Sequence, residues 1–316
     1  MIVTRAPLRI PLGGGGTDYV DYYRKHGGFI LGFATNLYVY VVINPTKDSK
    51  YHLKYSKNEV SPYLINLDNR VAASALDFMG IRPGLEVVTF SDVHESSGLG
   101  GSSAFCSALL LALGTFKDKS VTKADLFVDS YKVERDLAGE PGGIQDQWFA
   151  AYGGAYKLEL KDDIIPIPVD VTDFIQGLKL VYTGKSRKGH YSSTFHKALI
   201  DTDNPHLLTS LKETERIGRQ IYKYLIDGDY LQIGELFNHH WEVKKGRDPN
   251  ITTSKIDVIY SKCLEEGAIG AKLIGEGGGG YFLVYSEENL EGINSIPVGI
   301  DNEGCKVLYD DGSRQW

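Results

Sequence analysis

The chain lacks what a disulfide scaffold, a zinc module or a membrane protein would require. Its 316 residues include three cysteines, Cys106, Cys263 and Cys305, scattered and with no CxxC pair. Neither a disulfide framework nor a cysteine zinc site is therefore expected, and the three read as reduced thiols. No stretch approaches the roughly 20 apolar residues of a membrane span. The opening "MIVTRAPLRIPL" has no charged leader followed by a long apolar run, so a secretory signal is not expected and a cytoplasmic location is. On that expectation "NIT" at Asn250 is a chance match to the glycosylation pattern. Positive charge is also scarce: 34 Lys and Arg stand against 41 Asp and Glu, a formal net charge of −7. Nucleic-acid surfaces need clustered cations, so a nucleic-acid partner is not expected and any phosphate ligand has to be held locally.

What is present is ordinary globular composition, 42% hydrophobic and 24% charged, in a chain long enough for two lobes with full cores. "LYVYVVIN" from Leu37 and "LEVVTFSDV" from Leu85 read as strands, being β-branched and aromatic between turn residues. After the second comes "HESSGLGGSSAFCSALLLALGTF", a glycine-rich turn that opens a long apolar helix at Ser102 or Ser103. A helix follows over 123–137, ending before Gly139 and Pro141, and "GGAYKLEL" returns to strand. "DDIIPIPVDVTD", 162–173, with two prolines, suits an edge strand or a connection. The lobe boundary is placed there, giving 1–172 and 173–316. The second half predicts strands at "LKLVYTG" and "YFLVYS" and helices over 205–226, 230–243 and 255–266, so the fold class expected is α+β.

Three glycine-rich loops stand out: Gly13–Gly16, Gly98–Gly101 and Gly275–Gly280. Such loops can bring backbone amides close to a phosphate, although single ones mostly mark turns. The second loop ends at a helix N-terminus, where unpaired amides favour an anion. "GEGGGG" satisfies GxGxxG but leads into the strand-like "YFLVYS", whereas a dinucleotide fold needs a helix there. "TGKS" at Thr183 lacks the first glycine of a P-loop, since position 179 is Lys179.

Four segments in order, "RAPLRIPLGGGGTDY", "GLGGSSAF", "GGIQDQW" and "GAIGAKLIGEGGGG", resemble the galactokinase, homoserine kinase, mevalonate kinase and phosphomevalonate kinase (GHMP) superfamily over nearly the whole chain. Within it "YTGKSRKG" and "NHHWEVKKGRDPNITTSKID" are similar to D-glycero-D-manno-heptose 7-phosphate kinases; the "TGxxR" element is also similar to fucokinases. The resemblance implies a two-lobed fold, with an N-terminal lobe like domain 2 of ribosomal protein S5 and a ferredoxin-like C-terminal lobe. It also implies ATP as phosphoryl donor and Mg2+ as cofactor in the cleft between them, and a small-molecule sugar phosphate as partner. A homo-oligomer stays open.

Residue by residue, the resemblance implies that Gly98, Leu99, Gly100, Gly101, Ser102 and Ser103 bind nucleotide. Ser102 and Glu134 would hold the metal, although Gly101 replaces the family's first serine and Ser103 stays an alternative to Ser102. By default Ser102 would be a helix cap and Glu134 a surface charge. Asp146 matches the family's base or hydroxyl-positioning carboxylate and Arg9 the cation beside it. Gly15, Gly16, Thr17, Asp18 and Gly278 would adjoin the sugar, with Gly15 and Gly16 standing where galactokinases carry Glu and His. Lys185 and Arg187 are candidates for the acceptor's phosphate, with Arg187 the first choice because Arg offers a planar fork. Lys244, Lys245 and Arg247 are the alternatives, and runs of this kind usually face solvent. His190, His196, His239 and His240 show no metal-ligand spacing.

Overall fold

A computed structural model describes residues 1–184 and 204–312. Helices and strands mix throughout, as the α+β expectation requires. The larger sheet runs β12 (Lys306–Asp310), β1 (Ile2–Gly13), β2 (Gly28–Pro45), β5 (Leu85–Ser91), β3 (Tyr51–Lys54), β4 (Asn58–Ser61). The first half of β2 carries β6 (Ala155–Leu160), which pairs with the edge strand β7 (Ile164–Pro168). The expected strand at 37–44 is thus the second half of an 18-residue strand. Its pairing with β1 shifts between Pro7 and Arg9 and again between Pro11 and Gly13. Proline cannot donate to a ladder, so breaks beside the prolines are where bulges belong. At the first break Arg9 sends its N–H to Leu99 O at 2.9 Å, which ties the strand to the second glycine loop.

Against this sheet lies α3 (Gly101–Phe116), buried on nearly every side. An all-round apolar helix is a core helix, and this one also accepts Thr4 Oγ1 on Ala108 O at 2.8 Å. Helix α1 (Val20–His26) leads into β2, and α2 (Arg70–Phe78) and α4 (Lys123–Tyr131) flank α3. The Thr122–Asp125 capping box starts α4. The helix expected to continue to Leu137 instead widens into a π turn over Lys132–Leu137, a local form that recurs at functional sites. Helix α5 (Gln145–Tyr152) follows.

The second sheet is antiparallel, ordered β11 (Ser295–Pro297), β8 (Leu178–Tyr182), β10 (Tyr281–Tyr285), β9 (Gly270–Leu273). Helices α6 (Pro205–Asp227), α7 (Tyr230–Lys245) and α8 (Ser254–Glu265) accompany it. Strand β10 begins at Tyr281 directly after the glycine run, which agrees with rejecting a dinucleotide fold. Where α6 meets the end of β1, a Cβ on Gly13 would overlap the Gly218 backbone; two glycines allow that close approach. The last strand, β12, returns to β1 in the first sheet. Among the described residues no helix is long and apolar enough to cross a membrane.

Candidate active site

A cavity of about 780 Å³ lies between the sheets' loops and gathers residues from all four recognised segments, among them Arg9, Gly15, Gly16, Asp18, Gly98, Gly100–Ser103, Glu134, Asp146 and Gly275. Arg9 is nearly buried, donates Nε to Asp146 Oδ1 at 2.7 Å and also donates Nη1 to Gly98 O. One guanidinium thereby joins the carboxylate to the glycine loop. Gly100 has φ of 82° and a Cβ there would stand 3.3 Å from Asp146 Cγ. Its glycine is required twice, by backbone conformation and by space.

Ser102, in the first turn of α3, is exposed to the cavity. Ser103 is turned inward and donates to Glu134 Oε2 at 2.6 Å, where Gln147 Nε2 also donates at 2.7 Å. Arg135 Nη1 stands 3.4 Å from the other oxygen of Glu134. Glu134, 1% exposed, is therefore no solvated surface charge; the π turn delivers both it and Arg135 to the cavity. Arg135 in turn donates to the carbonyls of Glu140, Pro141 and Gly143, shaping the loop that precedes Asp146. A buried carboxylate next to a hydroxyl at a helix start suits Mg2+, which takes one or two protein oxygens and fills its octahedron with phosphate and water.

Several expected contacts are corrected. Thr17 is fully buried, and its hydroxyl is engaged with Gly14 O at 2.8 Å and with the Phe29 backbone at 2.9 and 3.0 Å. It clasps the first loop rather than facing a sugar. Leu99 points into the core, and its N–H reaches Ser97 Oγ. Gly278 gives its N–H to Ile251 O at 2.8 Å, while Gly275 and Glu276 are the members of that loop that line the cavity. Lys185 and Arg187 lie outside the described residues, as do His190 and His196.

Asp18 lines the cavity but is heavily engaged. Oδ2 accepts Gln145 N–H at 3.0 Å, and Oδ1 accepts Gln145 Nε2 at 3.1 Å and Gly16 N–H at 3.2 Å. The main task these bonds define is holding the start of α5, one residue before Asp146. Burial raises its pKa, while the Gln145 N–H opposes that rise. A Cβ on Gly143 would overlap Asp18 Oδ2. Gly143→Ala is therefore expected to cost about 2 kcal/mol of stability through overpacking, read as a lower melting temperature; an unchanged melt would mean the Asp18 clamp is slack.

Sequence reasoning passed over Lys272, and its signal was a lone charge inside the apolar strand of "AIGAKLIG". It is 3% exposed, and its ammonium donates to Leu12 O. Burial, reinforced by Arg9, lowers its pKa to about 7. His240 lies beside it, 3.3 Å from Nδ1 to Lys272 Nζ, and burial with these cations holds it well below its ordinary value. Lys244 donates to Leu273 O at 2.9 Å and to Gly275 O, fixing the third glycine loop. Lys245 does not line the cavity and pairs with Glu242 at 2.7 Å.

Residues 66–154 match the family described as GHMP kinases N terminal domain. The chain is 25% identical over 306 residues to the D-glycero-alpha-D-manno-heptose 7-phosphate kinase of Campylobacter jejuni, covering 90% of this chain and 89% of that one. It is 23% identical to the bifunctional fucokinase/GDP-fucose pyrophosphorylase of Arabidopsis thaliana, over 89% of this chain but only 29% of that protein. The fold matches the crystal structure of a D-glycero-D-manno-heptose 1-phosphate kinase from Bacteroides thetaiotaomicron with a TM-score of 0.75 and 21% identity, over 98% of this chain and 99% of that one. Family domain, whole-length likeness and the convergence of four motifs on one cavity agree: the chain carries a GHMP kinases N terminal domain over residues 66–154 and is similar along its length to sugar kinases of that superfamily.

Proposed function

We propose that the protein transfers the γ-phosphoryl group of ATP to the anomeric hydroxyl of D-glycero-D-manno-heptose 7-phosphate, giving the 1,7-bisphosphate for nucleotide-activated heptose and surface polysaccharide synthesis. The observation that carries this reading is the Arg9–Asp146 pair set beside the Gly98–Ser103 loop in one cavity. Asp146 orients the acceptor hydroxyl and takes its proton as the new O–P bond forms and the bond to ADP breaks. Arg9 keeps that carboxylate in place and stabilises charge on the transferring group. Backbone amides at the start of α3 hold the phosphates. Ser102, with Ser103 behind it, and Glu134 are the residues that would hold Mg2+, which when bound neutralises phosphate charge. The division at 172/173 then separates a nucleotide-binding part from a part that completes the acceptor side.

The first glycine run makes room. A Cβ on Gly15 would meet nothing within 4 Å, and Gly15 lines the cavity. That opening suits a seven-carbon sugar phosphate better than a hexose. Gly15→Glu is expected to weaken heptose 7-phosphate binding by tenfold or more, by filling the space and placing an anion near the phosphate, with ATP-analogue affinity held within twofold. Titration calorimetry reads both, and equal losses for both ligands would remove the opening from the account.

The likeness to a plant fucokinase favours L-fucose as the second acceptor to try. A non-catalytic sensor is disfavoured because Ser102, Glu134 and Asp146 all face one cavity. ADP release measured across heptose 7-phosphate, heptose, L-fucose and galactose decides among them. Fastest turnover on the heptose phosphate is expected, and preference for fucose or galactose would replace that acceptor.

A further inference from the structure

Among the described residues Arg247 has no carboxylate partner. It follows α7 and lines the cavity, donating Nε to Ser210 Oγ at 2.8 Å and Nη2 to Thr214 Oγ1. The Thr214 hydroxyl gives its own proton to Ser210 O at 2.9 Å, so toward Arg247 it acts only as an acceptor. Among the described residues no carboxylate pairs with Arg247; the groups that act on it are the phenols of Tyr22 and Tyr19. Burial lowers its pKa to about 10, which still leaves it charged at neutral pH. Its Nη1 faces the first glycine loop, 3.7 Å from where a Cβ on Gly16 would stand.

The neighbouring cation repeats the arrangement, since Lys272 is also held by neutral acceptors, Leu12 O and His240 Nδ1. Arg9 acts on Lys272, and Lys272 and Arg247 both act on His240. Arg9, Lys272, His240 and Arg247 all line the one cavity. Of the carboxylates that line the cavity, Asp18 is bound by Gly16 and Gln145, and neither it nor Glu276 is among the groups that shift Arg247. Arg247 is half-buried at the cavity wall, and a charge held there only by neutral groups is favourably met when an anion arrives. A tethered guanidinium offers that anion a planar fork, which suits phosphate.

We infer that Arg247, held by Ser210 and Thr214, is the subsite for the phosphate that the acceptor sugar already carries, at the end remote from the hydroxyl being phosphorylated. The opening at Gly15 gives that end its passage. This assignment rests on the sugar-phosphate reading above and gives the phosphate a holder among the described residues.

The test is calorimetric titration of heptose 7-phosphate and of unphosphorylated heptose into protein saturated with a non-hydrolysable ATP analogue. Wild type should prefer the phosphorylated sugar. Arg247→Met should shrink that preference by roughly 10- to 100-fold, the worth of a charged hydrogen-bonded contact. Arg216→Met should retain it, because Arg216 is exposed and paired with Glu213 at 2.6 Å. If Arg247→Met no longer binds the ATP analogue, Arg247→Lys carries the test: it keeps the charge, loses the fork and should lose several-fold. An undiminished preference in the variant that binds analogue overturns the subsite, as does a wild type with no preference. Failure of the kinase reading looks different: the Arg247-dependent preference would remain, with no ADP formed from ATP and any sugar.

Discussion

Asp146→Asn is expected to lower kcat by roughly 10²- to 10⁴-fold, the usual worth of a positioned proton acceptor. The amide matches the carboxylate in shape, and its Oδ1 can still accept Arg9 Nε, now bonded at 2.7 Å. Folding and nucleotide affinity should therefore survive while the proton loses its destination. The substitution also leaves Arg9 without its ionic partner, but the Gly98 carbonyl and the Leu99 carbonyl still hold the residue at side chain and backbone. Steady-state kinetics with both substrates varied reads the effect, and the loss should appear in kcat, with the KM for ATP little moved. A fall of less than tenfold would mean that Asp146 neither takes the proton nor aims the hydroxyl.

Glu134→Gln should be nearly as damaging, for a different reason. Glu134 is almost completely buried and its Oε2 accepts from both Ser103 and Gln147, with Arg135 beside the other oxygen. An amide has one acceptor oxygen and one donor group, so it cannot reproduce two acceptor oxygens among three donors. It also leaves Arg135 short of its neighbouring anion. Breaking a buried pair of this kind costs about 3 kcal/mol, which a melting curve reads. If Glu134 also holds Mg2+, activity should fall by about 100-fold or more, and the Mg2+ concentration giving half-maximal activity should rise, since a hard cation loses an anionic oxygen. A destabilised variant with wild-type Mg2+ dependence would make Glu134 structural only.

The sequence patterns made some elements legible and hid others for physical reasons. Helix α3 and strand β10 announced themselves, one by a continuous apolar run after a glycine turn and the other by aromatic and β-branched residues. Strand β1 did not, because "IVTRAPLRIPLG" carries two prolines and two arginines that break any alternation; its register shifts are the structural counterpart. The π turn was read as continued α-helix, since both forms share nearly the same apolar spacing over one turn. At the site, Arg9, Asp146 and the second glycine loop were found through motifs. Asp18 was found too, but not its clamp on Gln145, a partner 127 residues away. Lys272 and Arg247 owe their character to burial and, among the described residues, to the lack of a paired carboxylate, and neither can be read along a chain.

The names of two relatives differ in the phosphate they mention, heptose 7-phosphate in one and heptose 1-phosphate in the other, so the position of the new bond matters most. Phosphorus NMR of the product formed from ATP and heptose 7-phosphate reads it directly. A second sugar phosphorus signal coupled to the anomeric proton, with the C7 phosphate retained, is the predicted result. Coupling to any other sugar proton, or release of inorganic phosphate alone, would contradict transfer to the anomeric hydroxyl across the Arg9–Asp146 pair.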